Sequence, residues 1–320
     1  MFKIFVTRKI PDIGIQFLKN KKYDITISRF DRALTSREII KYAKGVDALL
    51  CLLTDKIDGK VMDGIGKQLK IIANYAVGVD NIDLKAAKSR NIMVSNTPGV
   101  LTEAVAEHAI ALIFAVTKRI AEADRFARAG KFKGWEPMLL LGSDVSGKVL
   151  GIIGLGRIGG EVAKRMRDGF NVKIIYYDQK RNEEMEKTLG IEYFDLETLL
   201  KMADFVSIHV PLLPSTKHLI SEKELKLMKS SAYLINTSRG PVIDEKALVN
   251  ALKNKTIRGA ALDVFEFEPK FSPGLVKLNN VVLTPHIASA TDETRGKMSE
   301  LAAQNIIDVL SGGKPKNLVA

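Results

Sequence analysis

The chain reads as an α/β protein built from two doubly wound parallel-sheet domains in succession. Three observations predict this. Short apolar runs rich in β-branched residues alternate with helical patterns along nearly the whole length. The alternation pauses at a long helical segment near the middle and then restarts, so two series follow one another. The second series opens on a glycine-rich strand-to-helix turn, Lys148 to Gly160, KVLGIIGLGRIGG. At 320 residues the chain is long enough for two domains, each with a core of its own.

In the first series, strands are expected over Lys3–Thr7, Asp24–Ile27, Ala48–Leu52, Ile71–Asn74 and Ile92–Ser95. Helices fall between them, near Pro11–Lys19, Ser36–Ala43, Asp58–Ile65 and Leu84–Ser89. This βαβ rhythm implies a parallel sheet covered on both faces, with ligands bound beyond the C-terminal ends of its strands. Two loops at such ends are of interest, Leu52-Leu53-Thr54 and Ala76–Asp80. In the latter, Gly78 either lets backbone amides approach a small anion or serves a plain turn. Asn96-Thr97-Pro98-Gly99 is a turn cluster and a candidate hinge. Val105, Ala109, Leu112, Ile113, Val116 and Ile120 then recur at helical spacing. They predict one long helix, with Lys118, Arg119, Glu122 and Asp124 toward its other side. Gly130–Pro137, with the single tryptophan Trp135, reads as an exposed loop.

In the glycine-rich turn, Val149–Ile153 has the composition of a buried parallel strand, and Val162, Ala163 and Met166 continue at helical spacing. Between them Gly154, Gly156 and Gly159 are spaced G-x-G-x-x-G, the fingerprint of a dinucleotide site. Gly154 permits a tight turn, Gly156 lets a pyrophosphate approach the backbone, and Gly159 lets helix and strand pack closely. The unpaired N–H groups of the first helical turn then face the phosphates. A second strand, Val172–Tyr177, ends at Asp178, 19 positions after Gly159, where a carboxylate meets the adenosine ribose. That acid repels a 2′-phosphate, so NAD is expected over NADP, although Lys180 and Arg181 lie near enough to blunt the preference.

The later strands, Asp204–Val210, Ala232–Thr237, Ile257–Leu262 and Val281–Thr284, each run into a residue with chemistry or a turn: Pro211, Ser238-Arg239, Asp263, and Pro285-His286. Thr291–Leu310 reads as a closing amphipathic helix ended by Gly312-Gly313. Arg239, Glu268 and His286 therefore lie at or just past strand ends on the side where a dinucleotide binds. A planar guanidinium suits the carboxylate of a 2-keto acid, and an imidazole can exchange a proton with its carbonyl oxygen near neutral pH. Glu268 is placed to pair with that imidazole and orient it. The alternatives for these residues are a surface ion pair for Arg239 and a solubilising loop for Glu266 and Glu268. Among the other histidines, His108 falls within a helix, His218 follows Lys217, and His209 sits in an apolar strand and is read as packed.

Composition narrows the classes. Hydrophobic residues make up 46% and charged residues 27%, ordinary for a soluble globular protein. The net charge of +12 suits anionic ligands. The 49 basic residues are interleaved with 37 acidic ones and never form a block of five, so no nucleic-acid partner is expected. MFKIFVTRKI mixes charge and apolar residues and reads as a first strand rather than a signal peptide. The longest uncharged apolar stretch, Ala109–Thr117, falls short of the ~20 residues of a membrane span. The lone Cys51 forms no intrachain disulfide, which fits a reducing, cytoplasmic setting. No metal is expected.

The chain resembles the D-isomer-specific 2-hydroxyacid dehydrogenase family over nearly its whole length. The resemblance is carried by Gly154-Leu155-Gly156-Arg157-Ile158-Gly159, Asn236-Thr237-Ser238-Arg239-Gly240, Ala261-Leu262-Asp263-Val264-Phe265 and Leu283-Thr284-Pro285-His286-Ile287-Ala288. Val77-Gly78-Val79-Asp80-Asn81-Ile82-Asp83 and Asn96-Thr97-Pro98-Gly99 carry it in the first series. It implies a discontinuous, flavodoxin-like substrate domain (1–99 and 288–320) and a Rossmann NAD-binding domain (100–287). It implies His286 as acid/base, Glu268 as its partner and Arg239 as substrate anchor, with the Val77-Gly78 backbone on the substrate carboxylate and Leu53 lining the pocket. Arg157 and Ile158 meet the pyrophosphate and Asp178 the ribose. Asp263 lies beside the nicotinamide, while Pro211, Thr216, Thr237, Ser238, Ala288 and Ser289 border the cofactor. A homodimer is implied, with Trp135 reaching a partner's site. Within the family the features match glyoxylate or hydroxypyruvate reductases best. The alternatives are a D-3-phosphoglycerate dehydrogenase and a non-catalytic, NAD-sensing corepressor-like binding protein.

Overall fold

The computed structural model describes residues 1–320, which divide into two compact units, Met1–Leu101 with Ala290–Ala320, and Thr102–Ser289. Both divisions fall two residues later than the boundaries read from the sequence.

The first unit contains β1 (Lys3–Val6), α1 (Asp12–Asn20), β2 (Asp24–Ile27), α2 (Ser36–Ala43), β3 (Ala48–Cys51), α3 (Gly59–Ile65), β4 (Ile71–Asn74), α4 (Leu84–Ser89) and β5 (Met93–Ser95). Its five strands pair in parallel in the order β2-β1-β3-β4-β5, the flavodoxin-like doubly wound order. β3 and β4 are buried at every position, as expected of central strands covered on both faces. Helix starts are marked by side-chain caps. Thr35 and Glu38 form a reciprocal capping box, and Asp58 and Asp83 accept from the N–H groups of Val61 and Ala86.

The second unit contains α5 (Thr102–Thr117), α6 (Ile120–Arg128), β6 (Val149–Ile153), α7 (Arg157–Phe170), β7 (Lys173–Tyr177), α8 (Glu183–Leu189), β8 (Glu192–Tyr193), α9 (Leu196–Met202), β9 (Phe205–Ile208), α10 (Glu222–Leu227), β10 (Tyr233–Asn236), α11 (Glu245–Lys253), β11 (Gly259–Leu262) and β12 (Val281–Leu283). Its seven strands are parallel in the order β12-β11-β10-β9-β6-β7-β8. The strand order reverses between β6 and β9, which is the switch point of a Rossmann sheet. Side chains of β6 alternate between two cores. Leu150 and Ile152 pack with α5 and α7, while Ile153 packs toward α9, α10 and α11. The last helix, α12 (Asp292–Leu310), belongs to the first unit, where it packs along α1.

Three expectations need correction. The apolar stripe that begins at Val105 does not run through Ile120 in one helix. α5 ends at Thr117, Arg119 takes a left-handed backbone (φ +56°) with its guanidinium forked onto Glu122, and Ile120 opens α6 more than half exposed. The closing helix keeps a polar stripe of Lys297, Glu300, Gln304 and Asp308, but its buried face is wider than an amphipathic surface helix would have. Met298, Ser299, Ala302, Ala303, Asn305, Ile306, Ile307, Val309 and Leu310 are all buried, so it is enclosed on several sides. Five of the eleven expected strands end one or two residues before the apolar run does, because the ladder of backbone bonds stops before the hydrophobic pattern. The two-residue β8 carries no such run and was not foreseen. No helix is long and apolar enough to cross a membrane.

Candidate active site

The glycine-rich turn sits at the switch point. Gly154 follows β6 with φ +96°, and a Cβ there would lie 2.9 Å from the backbone of His209 and Val210, just past β9. Only glycine meets both demands without moving one strand end away from the other. Gly156 caps α7, and a Cβ on it would meet nothing within 4 Å, so the space above it is open. The first N–H groups of α7 point out of the helix end with no helical acceptor. Asp178, just past β7, accepts from the N–H groups of Leu155 (2.8 Å) and Gln179 (2.7 Å), which ties the carboxylate to the glycine turn. Past β9, Thr216 donates to the Pro211 carbonyl (2.6 Å) and accepts from Leu213 N–H, closing the loop from 211 to 216. Past β10, Thr237 is buried with its hydroxyl unpartnered. Such an orphan costs about 1–3 kcal/mol, a cost that a ligand's hydrogen bond would remove. The open cradle at Gly156, the exposed helix end, Asp178 and the Thr237 hydroxyl all fit a dinucleotide.

His209, beneath this turn, is partly buried and bonded to Ser207 Oγ (2.8 Å), as the packed reading anticipates. Burial pushes its pKa down to about 4. A histidine lowered in the fold is neutral there while the unfolded chain takes up a proton. Its stabilising share is therefore complete above the ordinary value near 6.5 and lost as pH falls toward 4. The expected result is a Tm that drops between pH 7 and pH 4.5, with a smaller drop in His209→Gln. Calorimetry of the two proteins across that range checks it.

Three adjacent strand ends carry the rest. After β10, the buried Asn236 accepts from Ser238 N–H and Oγ (both 2.9 Å) through Oδ1 and donates to the Arg239 carbonyl (3.0 Å). This side-chain turn was not foreseen, although Asn-Thr-Ser is a recognisable signal for it. It fixes the backbone from which the half-buried Arg239 side chain extends, and Arg239 Nη1 donates to the Ser238 carbonyl (2.8 Å). A Cβ on Gly240 would overlap the Phe265 carbonyl, so the Arg239 loop and the loop after β11 run backbone against backbone. On that second loop, Glu268 accepts from Phe265 N–H (2.9 Å) with Oε1 and meets His286 Nδ1 (2.9 Å) with Oε2. The two outermost members of the proposed trio are thus paired. Glu266, which composition alone leaves as a solubiliser, bonds His218 Nε2 (2.7 Å) and accepts from Glu245 N–H.

Asp263, at the end of β11, is fully buried. It accepts from Thr284 Oγ (2.6 Å), Ile287 N–H (2.9 Å) and Ala288 N–H (2.8 Å), and His108 Nε2 lies 3.4 Å away. Burial alone would raise this carboxyl, but the bonds from His108, Thr284 and the two amides outweigh it, and it titrates below the usual range. Asp263 thus braces the turn of His286, and its oxygens are taken up by protein donors. Ala288 is buried on that turn, with Ser289 following. Trp135 lies on an irregular segment and is 85% exposed.

In the first unit, the loops after β3 and β4 are stitched together. Asn81 donates to the carbonyls of Leu52 (3.1 Å) and Asp55 (3.0 Å), and buried Asp55 accepts from Leu52 N–H. The carbonyls of Ala76, Val77 and Gly78 accept from Thr97 N–H (2.9 Å), Asn96 Nδ2 (2.7 Å) and Asn74 Nδ2 (2.8 Å). In a trans peptide C=O and N–H point oppositely, so the N–H groups of Val77, Gly78 and Val79 turn away from these donors. This arrangement is compatible with the anion-binding reading of this loop as well as with the plain turn. Leu53 follows β3 on the neighbouring loop.

A Rossmann sheet with a glycine-rich phosphate turn and an imidazole–carboxylate pair at its strand ends fits a nicotinamide-dependent dehydrogenase. Comparison with known proteins gives the family. Residues 110–288 match the profile of "D-isomer specific 2-hydroxyacid dehydrogenase, NAD binding domain". A glyoxylate reductase of Thermococcus litoralis is 52% identical over 99% of this chain and 96% of its own. A crystal structure of a Thermus thermophilus protein superposes with a TM-score of 0.93 at 42% identity, covering all of both chains. An NADPH-dependent glyoxylate/hydroxypyruvate reductase of Sinorhizobium meliloti, solved with NADP and malonate, superposes at 0.88 and 33% identity over 100% of this chain and 97% of its own. The chain belongs to the D-isomer specific 2-hydroxyacid dehydrogenase family.

Proposed function

We propose that the protein is a glyoxylate/hydroxypyruvate reductase that uses NADH, with His286, Glu268 and Arg239 as its catalytic residues. The observation that carries this is the bond between His286 Nδ1 and Glu268 Oε2, at strand ends beside the Arg239 loop. Because Nδ1 is engaged by the carboxylate, Nε2 is the ring atom left to exchange a proton with the substrate oxygen. The nicotinamide, when bound, supplies the hydride to the carbonyl carbon. Arg239 holds the substrate carboxylate and draws electron density toward the carbonyl oxygen. In the first unit, the Val77-Gly78 backbone is the carboxylate-binding loop of this reading, with Leu53 as its pocket-lining residue on the neighbouring loop. Gly154, Gly156, Gly159, Arg157 and Ile158 cradle the pyrophosphate. Pro211, Thr216, Thr237, Ser238, Ala288 and Ser289 border the cofactor, and Asp263 supports its nicotinamide end. The protein works as a cytoplasmic homodimer in which Trp135 reaches the partner's site.

The NADH preference rests on Asp178, whose charge would oppose a 2′-phosphate. Arg181 is forked onto Glu186, whose carboxyl its guanidinium and the Tyr176 hydroxyl hold down at about 2, so that cation is already committed. Asp178→Ser is expected to raise kcat/KM for NADPH relative to NADH by ~10-fold or more, a shift of about 1.4 kcal/mol. Steady-state kinetics with both coenzymes measures it. A second variant tests the cradle. Gly156→Ala adds a methyl where the protein has no atom, so Tm stays unchanged while the Kd for NADH rises at least ~10-fold.

The function itself is tested by a panel of glyoxylate, hydroxypyruvate, pyruvate and 3-phosphohydroxypyruvate with NADH and NADPH. Fastest turnover of glyoxylate or hydroxypyruvate with NADH is expected. Turnover of the phosphorylated substrate alone, or of none, overturns the reading.

A further inference from the structure

We propose that His108, on α5, is a positioning residue for the acid/base His286. Its ring N–H pins the Thr284–Asp263 pair, and that pair holds the turn on which the catalytic imidazole is mounted. The inference rests on the role given to His286 above.

The turn needs holding. His286 adopts a left-handed backbone with φ +56°, a conformation costing a non-glycine residue of order 1–3 kcal/mol. Its Nδ1 bond to Glu268 orients the ring but leaves the backbone free to relax. The backbone is held from the other side. His286 N–H donates to the carbonyls of Asp263 (2.8 Å) and Thr284 (3.0 Å), and the next two N–H groups donate to the Asp263 carboxylate. Every one of these bonds ends on Asp263 or Thr284.

Donor and acceptor accounting then assigns the role of His108. The Asp263 carboxylate is an acceptor only. The Thr284 hydroxyl has one proton, and at 2.6 Å from Asp263 Oδ1 it is spent there. His108 Nε2 lies 3.0 Å from Thr284 Oγ and 3.4 Å from Asp263 Oδ1, so both neighbours can only accept and Nε2 must carry the proton. His108 therefore donates into the pair and ties β12 and the end of β11 to α5. It sits at the edge of the apolar stripe, three residues after Val105 and four before Leu112, and its side chain is mostly covered without being fully buried. The titratable groups on the turn from the packed elements are Asp263 on β11, Glu268 on the following loop and His108 on α5.

The test is steady-state kinetics with NADH and glyoxylate on the full-length protein, with five variants. His108→Ala and Thr284→Val are each expected to lower kcat about tenfold or more, with KM for glyoxylate moving less than about twofold. His108→Gln, which keeps an N–H donor, and Thr284→Ser, which keeps the hydroxyl, are expected within about threefold of wild type. The double variant His108→Ala/Thr284→Val should be no slower than the slower single, because both break one path. The pH profile of kcat/KM should change in His108→Ala and return in His108→Gln. If His108→Ala does not fold, the Thr284 pair and His108→Gln carry the comparison. His108→Ala within twofold of wild type, His108→Gln as slow as His108→Ala, or a double variant showing the product of the single effects each overturns the inference. Wild-type protein inert toward every short 2-keto acid would remove the reading of His286, and this inference with it.

Discussion

His286→Gln is expected to lower kcat by ~10²- to 10⁴-fold while the protein stays folded and NADH binding changes little. Glutamine still bonds Glu268 through its amide, but it has no proton to exchange near neutral pH. The loss belongs to the chemical step, so KM for the keto acid should stay within a few-fold. The left-handed backbone at 286 tolerates a non-β-branched replacement, and the bonds that hold it come from the main chain and Asp263, so the turn survives. Stopped-flow NADH oxidation, with Kd from fluorescence titration, separates chemistry from binding. Retention of more than a tenth of wild-type kcat would exclude His286 as the acid/base.

Arg239→Gln is expected to lower kcat/KM by ~10³-fold, mostly through KM for the keto acid. A bidentate guanidinium–carboxylate contact supplies two charge-assisted hydrogen bonds of about 1.5–3 kcal/mol each, and their loss corresponds to ~10²- to 10⁴-fold. Arg239→Lys keeps the charge without the fork and should fall between the two. The Asn236 turn holds the backbone of this loop independently of the Arg239 side chain, so cofactor affinity should be unaffected. An Arg239→Gln variant with unchanged KM would place the substrate carboxylate elsewhere.

The parts of this protein that were legible early are those written locally. A strand needs a short apolar run, a helix needs a cap and a stripe, and a phosphate turn needs glycine where a Cβ would strike a neighbour. Each of these is a property of a few consecutive residues. The five-stranded sheet and six of the seven strands of the other follow from that alternation, and so does the placing of Arg239, Asp263 and His286 just past strand ends. The end of α5 was not legible in this way. The stripe continues through Ile120, and only the fork of Arg119 on Glu122 and the left-handed turn at 119 break it. The burial of α12 on several sides also depends on neighbours far away in sequence.

The same division runs through the site. Residue types and spacing offered His286, Glu268 and Arg239 as chemically suited candidates at or just past strand ends, where the structure has them. They pointed to Glu268 as the partner of the imidazole but gave no role to Glu266 on the same short acidic loop. Folding separates them, sending one to His286 and the other to His218. Nor could they reveal that Asp263 spends its oxygens on Thr284, Ile287 and Ala288, or that His108 reaches that pair across 176 positions from Thr284. A hydrogen bond is decided by where a donor and an acceptor finish in space, and for groups so distant along the chain that is known only once the strands and helices between them have packed.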